Sequence, residues 1–165
     1  MKGRDGQIRQ FSEGDDPAPV LALIREAFAY MDGVIDPPSS MHRLTPADIA
    51  RQAETGEVWL TGPKHAPTAC LFLTRKPDAL YLGKLAVAEP ARGRGLARRL
   101  VELAEARARA LGFSVLELQT RVELTGNHAT FERLGFTRTG ATAHAGYDRP
   151  TSYTYRKPVS PPGRG

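Results

Sequence analysis

The chain has 165 residues and a mass of 18.0 kDa, with 41% hydrophobic residues and a formal net charge of +5. That is enough for one ordinary domain with its own core and leaves little room for a second. The single cysteine, Cys70, excludes an internal disulfide and a cysteine-based zinc site. His42, His65, His128 and His144 show none of the short spacings of metal ligands. No apolar run approaches a membrane span and the polar, mixed-charge start has no secretory pattern, so the expected setting is a reduced cytoplasm with no metal and no membrane.

Residues 7–11 read as a short strand. Asp15, Asp16 and Pro17 then open a helix whose apolar positions Val20, Leu21, Ile24, Ala27, Phe28 and Met31 recur at three and four. Residues 32–40 form a loop, because Pro37 and Pro38 cannot continue a helix. Thr45 and Pro46 cap a second short helix that ends near Gly56. Strands follow over residues 58–61, 68–74 and 79–87. The firmest helix spans 95–111, with Leu96, Leu100, Ala104 and Leu111 as its stripe, Gly112 as its stop and Glu105 and Arg109 paired on its outer face. A strand over 114–120, a helix over 125–134 and strands over 136–143 and 152–156 complete a mixed α/β sheet in one domain, with no internal repeat. Residues 159–165 read as a loose tail.

The basic charge points to an anionic partner, and its distribution narrows the choice. Arg92, Arg94, Arg98 and Arg99 crowd into eight residues beside Gly93 and Gly95, where a strand runs through a glycine turn into a helix. A helix N-terminus leaves backbone N–H groups unpaired and carries partial positive charge, so it receives phosphate readily. Two phosphate motifs fail: Leu96-Ala97 stands where a P-loop needs Lys-Ser/Thr, and Arg98 stands where a dinucleotide fingerprint needs glycine. A plain glycine turn capping a basic surface helix remains the alternative at this point.

Two segments together carry a resemblance. Leu85-Ala86-Val87 followed by Arg92-x-x-Gly95-x-Ala97 resembles the acetyl-CoA motif of the GNAT N-acetyltransferase superfamily. One helix and one strand later, Asn127, Phe131, Gly135 and Phe136 resemble its N-x-x-x-Y-x-x-x-G-F signature. The resemblance covers about residues 58–143. It implies a single-domain acyl-CoA N-acyltransferase fold, a mixed, mostly antiparallel sheet flanked by helices, over residues 1–158. It further implies that the backbone of Leu85, Ala86 and Val87 pairs with the pantetheine arm of acetyl-CoA as an added strand. Residues 92–98 (Arg92, Gly93, Arg94, Gly95, Leu96, Ala97 and Arg98) would wrap the pyrophosphate, Asn127 would touch the arm, and the Val87 N–H would face the thioester oxygen. Phe131 departs from the pattern, because phenylalanine has no proton for the leaving thiolate.

Several residues are candidates for the remaining roles. Tyr147 either replaces the missing donor or packs in its turn. Glu117 is either a base facing the cleft or a solvated sheet position. Asp32 and Asp36 either attract a cationic amine or are solvated loop carboxylates, with His42 beside them as a base. Lys84, Tyr81 and Trp59 read as ordinary strand residues, and Cys70 as a small buried side chain.

The implied activity is acetyl transfer from acetyl-CoA to a primary amine, on a small molecule or a protein, by direct attack in a ternary complex. The alternative is a non-catalytic acyl-CoA-binding sensor or scaffold of the same fold. A homodimer is compatible with either. A nucleic-acid partner rests on charge alone and explains the arginine turn less well than the phosphates of coenzyme A.

Overall fold

The computed structural model describes residues 7–160. The chain runs β1 (Ile8–Gln10), α1 (Ala18–Ala27), α2 (Pro46–Thr55), β2 (Glu57–Thr61), β3 (Ala69–Arg75), β4 (Leu80–Val87), α3 (Leu96–Leu111), β5 (Val115–Arg121), α4 (Thr125–Arg133), β6 (Thr137–Thr142) and β7 (Ser152–Pro158). One sheet holds all seven strands in the order β1-β2-β3-β4-β5-β7-β6, and only β4 and β5 run parallel. This is the mixed, mostly antiparallel sheet the resemblance implies. The last strand inserts between β5 and β6, so every residue of β5 from Val115 to Arg121 pairs with β7.

Each face of the sheet is covered. Leu96, Leu100, Val101, Ala104 and Ala108 of α3 pack on Leu71, Leu80, Leu116 and Leu118 to form one core. On the other face, Val20, Leu21 and Ile24 of α1 and Ile49 of α2 cover Val58, Leu60, Cys70 and Phe72. The helix ends follow local chemistry. Thr45 and Asp48 exchange side-chain and backbone hydrogen bonds in a capping box, and Gly112 stops α3 in a left-handed conformation.

Three expectations are corrected by tertiary contacts. The apolar period continues to Met31, but α1 ends at Ala27 and a separate 3-10 turn covers Ala29–Met31. At that end the Ala27 carbonyl accepts from Arg92 Nη2 at 3.4 Å, a contact from 65 residues away. Glu105 pairs not with Arg109 but with Lys157 of β7, at 3.2 Å. Val159, expected in the loose tail, is buried in the α3 core, and its N–H donates to the Ser114 carbonyl at 2.9 Å; residues 161–165 of that tail lie outside the described residues. Cys70 is buried as expected, but its thiol also donates to the Lys84 carbonyl at 3.3 Å.

Glu57, at the start of β2, ties the sheet to α3. Its buried carboxylate accepts from Arg107 Nε at 2.9 Å, Arg107 Nη2 at 2.6 Å and Trp59 Nε1 at 2.8 Å. Removing the guanidinium strands a buried charge, which costs more than the pair itself contributes. Arg107→Met is therefore expected to lower unfolding stability by about 2–3 kcal/mol, below the full cost for buried pairs because Arg107 is partly exposed. Urea denaturation of both proteins checks this.

Candidate functional site

The site begins with a fault in the sheet. Between β3 and β4 the register slips: Cys70 opposes Ala86 but Phe72 opposes Gly83, so β4 carries one extra residue. Lys84 sits in this bulge with φ +49°, a left-handed conformation that is uncommon outside glycine. A bulge bends its strand and increases its twist. Pairing with β5 has already ended before the bulge: only Leu80 and Tyr81 pair with Leu116 and Glu117. From Leu82 to Val87, the edge of β4 that faces β5 is without a strand partner.

Backbone directions at the end of this edge follow from alternation. Ala88 N–H donates to the Thr68 carbonyl of the β3 side at 2.8 Å. In an extended chain the preceding N–H points the opposite way, so that of Val87 faces the open side. The Val87 carbonyl faces there too, and accepts from Arg92 Nε at 3.3 Å. Arg92 thus joins the end of β4 to the end of α1 with its side chain.

The glycine turn follows. Gly93 and Gly95 have φ of +82° and +77°, and a Cβ added at either would meet nothing within 4 Å. Conformation, not crowding, demands glycine here, and the space above the turn is open. Gly95 caps α3 without a side chain, and the first backbone bond inside the helix runs from Arg99 N–H to the Gly95 carbonyl. The N–H groups of Leu96, Ala97 and Arg98 therefore have no acceptor within the helix. Arg94, Arg98 and Arg99 are exposed around them, whereas the Leu96 side chain is in the core. An anionic group with a phosphate's geometry fits this turn, and a strand-like amide chain fits the free edge of β4.

Between the parted strands, the α1–α2 connection and the β6–β7 turn lies a cavity of about 890 Å³. It gathers Leu85, His42, Asn127, Phe131 and Tyr147 from distant parts of the chain. Phe131 meets Phe136 edge-on, with ring centres 6.1 Å apart. Asn127 Nδ2 donates to the Tyr30 hydroxyl at 3.2 Å, bridging α4 to the segment after α1. Ala86 is buried in the α1 core, and by the same alternation its N–H and carbonyl turn toward β3, so the open edge is presented by Leu85 and Val87.

The structure corrects the readings of the acids. Glu117 lies outside the cavity lining and is buried, with Lys76 Nζ at 3.0 Å from one oxygen and Arg156 Nη2 at 2.7 Å from the other. Burial pushes its carboxyl up, but hydrogen bonds from Arg156 and Lys76 outweigh this and hold it below the ordinary 4.5. A carboxylate so held is a poor base, so Glu117 ties β5 to β7 and to the turn before β4. Asp32 and Asp36 do not line the cavity either. Asp32 engages His42 Nε2 at 2.7 Å, while Asp36 accepts from the Tyr147 hydroxyl at 2.6 Å and Arg149 Nη2 at 3.3 Å. Neither faces the cavity as a receptor for an ammonium. The bond to Asp36 also holds the Tyr147 proton more tightly than in a free phenol, which weakens Tyr147 as a donor although it lines the cavity.

Sequence reasoning passed over Lys84 and Arg121 as cavity residues. A signal for Lys84 existed: Leu80 and Leu82 share a parity, Leu85 and Val87 the opposite one, yet all four pack toward the α3 core. That switch marks the bulge.

Comparisons with known proteins give the family and the fold. A model of the acetyltransferase (GNAT) family matches residues 22–136. An N-acetyltransferase of Thermoplasma acidophilum, solved in complex with coenzyme A, superposes with a TM-score of 0.78 at 12% identity, over 93% of this chain and 98% of that one. The ribosomal-protein-S18-alanine N-acetyltransferase of Escherichia coli gives 0.69 at 20%, over 96% and 97%. A GNAT family acetyltransferase of Elizabethkingia anophelis with acetyl-CoA bound gives 0.65 at 17%, over 93% and 97%. No curated protein matches the chain in sequence.

The buried acids make the site's scaffold pH-sensitive. Glu57 and Glu117 both have carboxyls held below 4.5 in the folded chain, Glu57 because its bonds to Arg107 and Trp59 outweigh burial. Their stabilisation is complete above 4.5 and is lost as pH falls from there through the lower folded values. Thermal unfolding between pH 6 and 3 is expected to show this fall, and Glu117→Gln to make it shallower.

Proposed function

The chain belongs to the GNAT acetyltransferase family, and on that premise we propose that it transfers an acetyl group from acetyl-CoA to a primary amine, by direct attack in a ternary complex and without an acyl-enzyme. The observation that carries this reading is one continuous arrangement. The free edge of β4 leads directly into a glycine turn whose amides are unpaired. Bound acetyl-CoA supplies the activated acyl group: the amine nitrogen forms the C–N bond as the C–S bond breaks, the electron pair leaves on sulfur, and the nitrogen gives up a proton.

The chain's own groups supply position and charge. The N–H groups of Leu96, Ala97 and Arg98, with Arg94, Arg98 and Arg99, hold the pyrophosphate at the positive end of α3. The backbone of Leu85, Ala86 and Val87 receives the pantetheine amides as an added strand. The Val87 N–H, facing the open side, donates to the carbonyl oxygen as negative charge grows there. His42, a cavity residue held by Asp32 through Nε2, accepts the amine's proton on its other ring nitrogen in this reading. Phe131 has no proton and that of Tyr147 is committed to Asp36, so the sulfur leaves as thiolate into water. A thiol pKa near 8.5 makes this feasible.

The same lack of a free donor favours the second reading, a sensor that binds acetyl-CoA without turnover. Release of free thiol on mixing acetyl-CoA with a panel of amines separates the two. For the binding itself, saturating coenzyme A is expected to raise the melting temperature by several degrees, since a ligand at a hundredfold its Kd adds about 2.7 kcal/mol. Gly95→Glu places a side chain and a negative charge in the open space above the turn. It is expected to fold and to lose that shift, and an unchanged shift would remove the turn from the site.

A further inference from the structure

The cavity has an uneven charge lining. Lys84 of β4 and Arg121 of β5 line it from the two strands that part, and Arg43 adds a third positive side chain. Among the described residues, no aspartate or glutamate lines it. The acids that lie near in sequence bond elsewhere: Asp32 to His42, Asp36 to Tyr147 and Arg149, and Glu123 through one oxygen to the N–H of Asp36, its other oxygen being buried without a partner. The arginines of the glycine turn are not part of this lining, so these cations form a separate cluster.

Lys84 and Arg121 are also half-buried. Lys84 Nζ reaches only the Ser40 hydroxyl, at 3.5 Å, and Arg121 is held by the carbonyls of Pro37 at 2.6 Å and Pro38 at 3.1 Å. Neither forms an ion pair with a carboxylate among the described residues. Burial pushes the pKa of both down. Glu123 and Asp36 act on Arg121 through space without pairing with it; a cation partly withdrawn from water and left without a paired carboxylate is a cost that a bound anion offsets. On the α1 side, Phe28, Met31 and Ile35 supply an apolar wall.

Building on the transferase reading above, we propose that the acceptor is a primary amine that also carries a carboxylate, with an apolar body. Its acid is read by Lys84, Arg121 and Arg43, and its body by the Phe28–Met31–Ile35 wall. A polycationic amine would meet like charge in this cavity and no acid to receive it.

Matched acceptors test this. A carboxylate next to an amine makes it more basic and leaves less of it neutral, so chemistry alone favours an amino acid amide over the free amino acid. A preference for the acid must then come from binding. Leucine, methionine and phenylalanine are compared with their primary amides and with spermidine, using acetyl-CoA consumption. The acids are expected to exceed the amides in kcat/KM by about tenfold or more, a difference of about 1.4 kcal/mol. Lys84→Met should bring the ratio near one. Lys84→Arg should keep it, which a proton-accepting lysine would not allow. Arg43→Gln, at an exposed position, should lower the ratio even if the Lys84 variants fail to fold. Amides or spermidine as the better substrates, or a ratio unmoved by these variants, would overturn the inference and leave the transferase reading intact. A turnover-free arm separates the two claims: N-acetyl-leucine and N-acetyl-leucinamide are titrated calorimetrically into the protein saturated with coenzyme A. Preferential binding of the acid with no turnover of any amine would overturn the transferase reading and the acceptor assignment with it, leaving the three cations as a carboxylate-binding site. Equal binding of both, or binding of neither, would overturn the inference.

Discussion

The structure depends on the parting of β4 from β5. Two residue pairs hold these strands together at Leu80 and Tyr81, after which six residues of β4 run on with no strand partner on the β5 side. An unpaired backbone edge inside a sheet is costly unless water or another chain satisfies it. The bulge at Lys84 lies within the separated stretch and bends it, and the buried Cys70 thiol pins the bulge by donating to the Lys84 carbonyl. Burial pushes that thiol's pKa up to about 12, so it stays protonated and keeps its donor role. The cavity, the outward N–H of Val87 and the approach to the glycine turn all follow from this bend.

Around the opening, charge is allotted with little overlap. Acids that could have faced the cavity are tied to structural partners: Glu117 to Lys76 and Arg156, Asp36 to Tyr147 and Arg149, Asp32 to His42. Among the described residues there, cations without a carboxylate partner stand at two places, the exposed arginines of the turn and the half-buried Lys84 and Arg121 of the cavity. One helix terminus and one wall thus present positive potential to two different parts of a reaction complex. Arg92 belongs to neither group, because its side chain is spent on the Val87 and Ala27 carbonyls. Its place in the motif is therefore architectural as far as the side chain is concerned.

Much of this was legible in the chain. The element order, the Thr45 cap, the Gly95 and Gly112 boundaries of α3 and the anion turn are set by local chemistry within a few residues, and local chemistry is what a sequence displays. What escaped depends on distant partners. The end of α1 meets Arg92, the fate of Glu105 and Glu117 is decided by β7 and the turn before β4, and Val159 is buried against α3. Insertion of β7 between β5 and β6 likewise has no local mark. The bulge is the exception, since the parity switch between Leu82 and Leu85 is written in the sequence and shows which way β4 bends once read.

The central claim is that the free β4 edge and the first turn of α3 form one binding surface for the acyl donor. Amide hydrogen exchange with and without coenzyme A measures this most directly, because it reports on the very N–H groups involved. The account predicts slowed exchange at Leu85, Val87, Leu96, Ala97 and Arg98 on binding, with the edge strand β6 unchanged. Binding that protects other segments and leaves these amides at their free rates would contradict it.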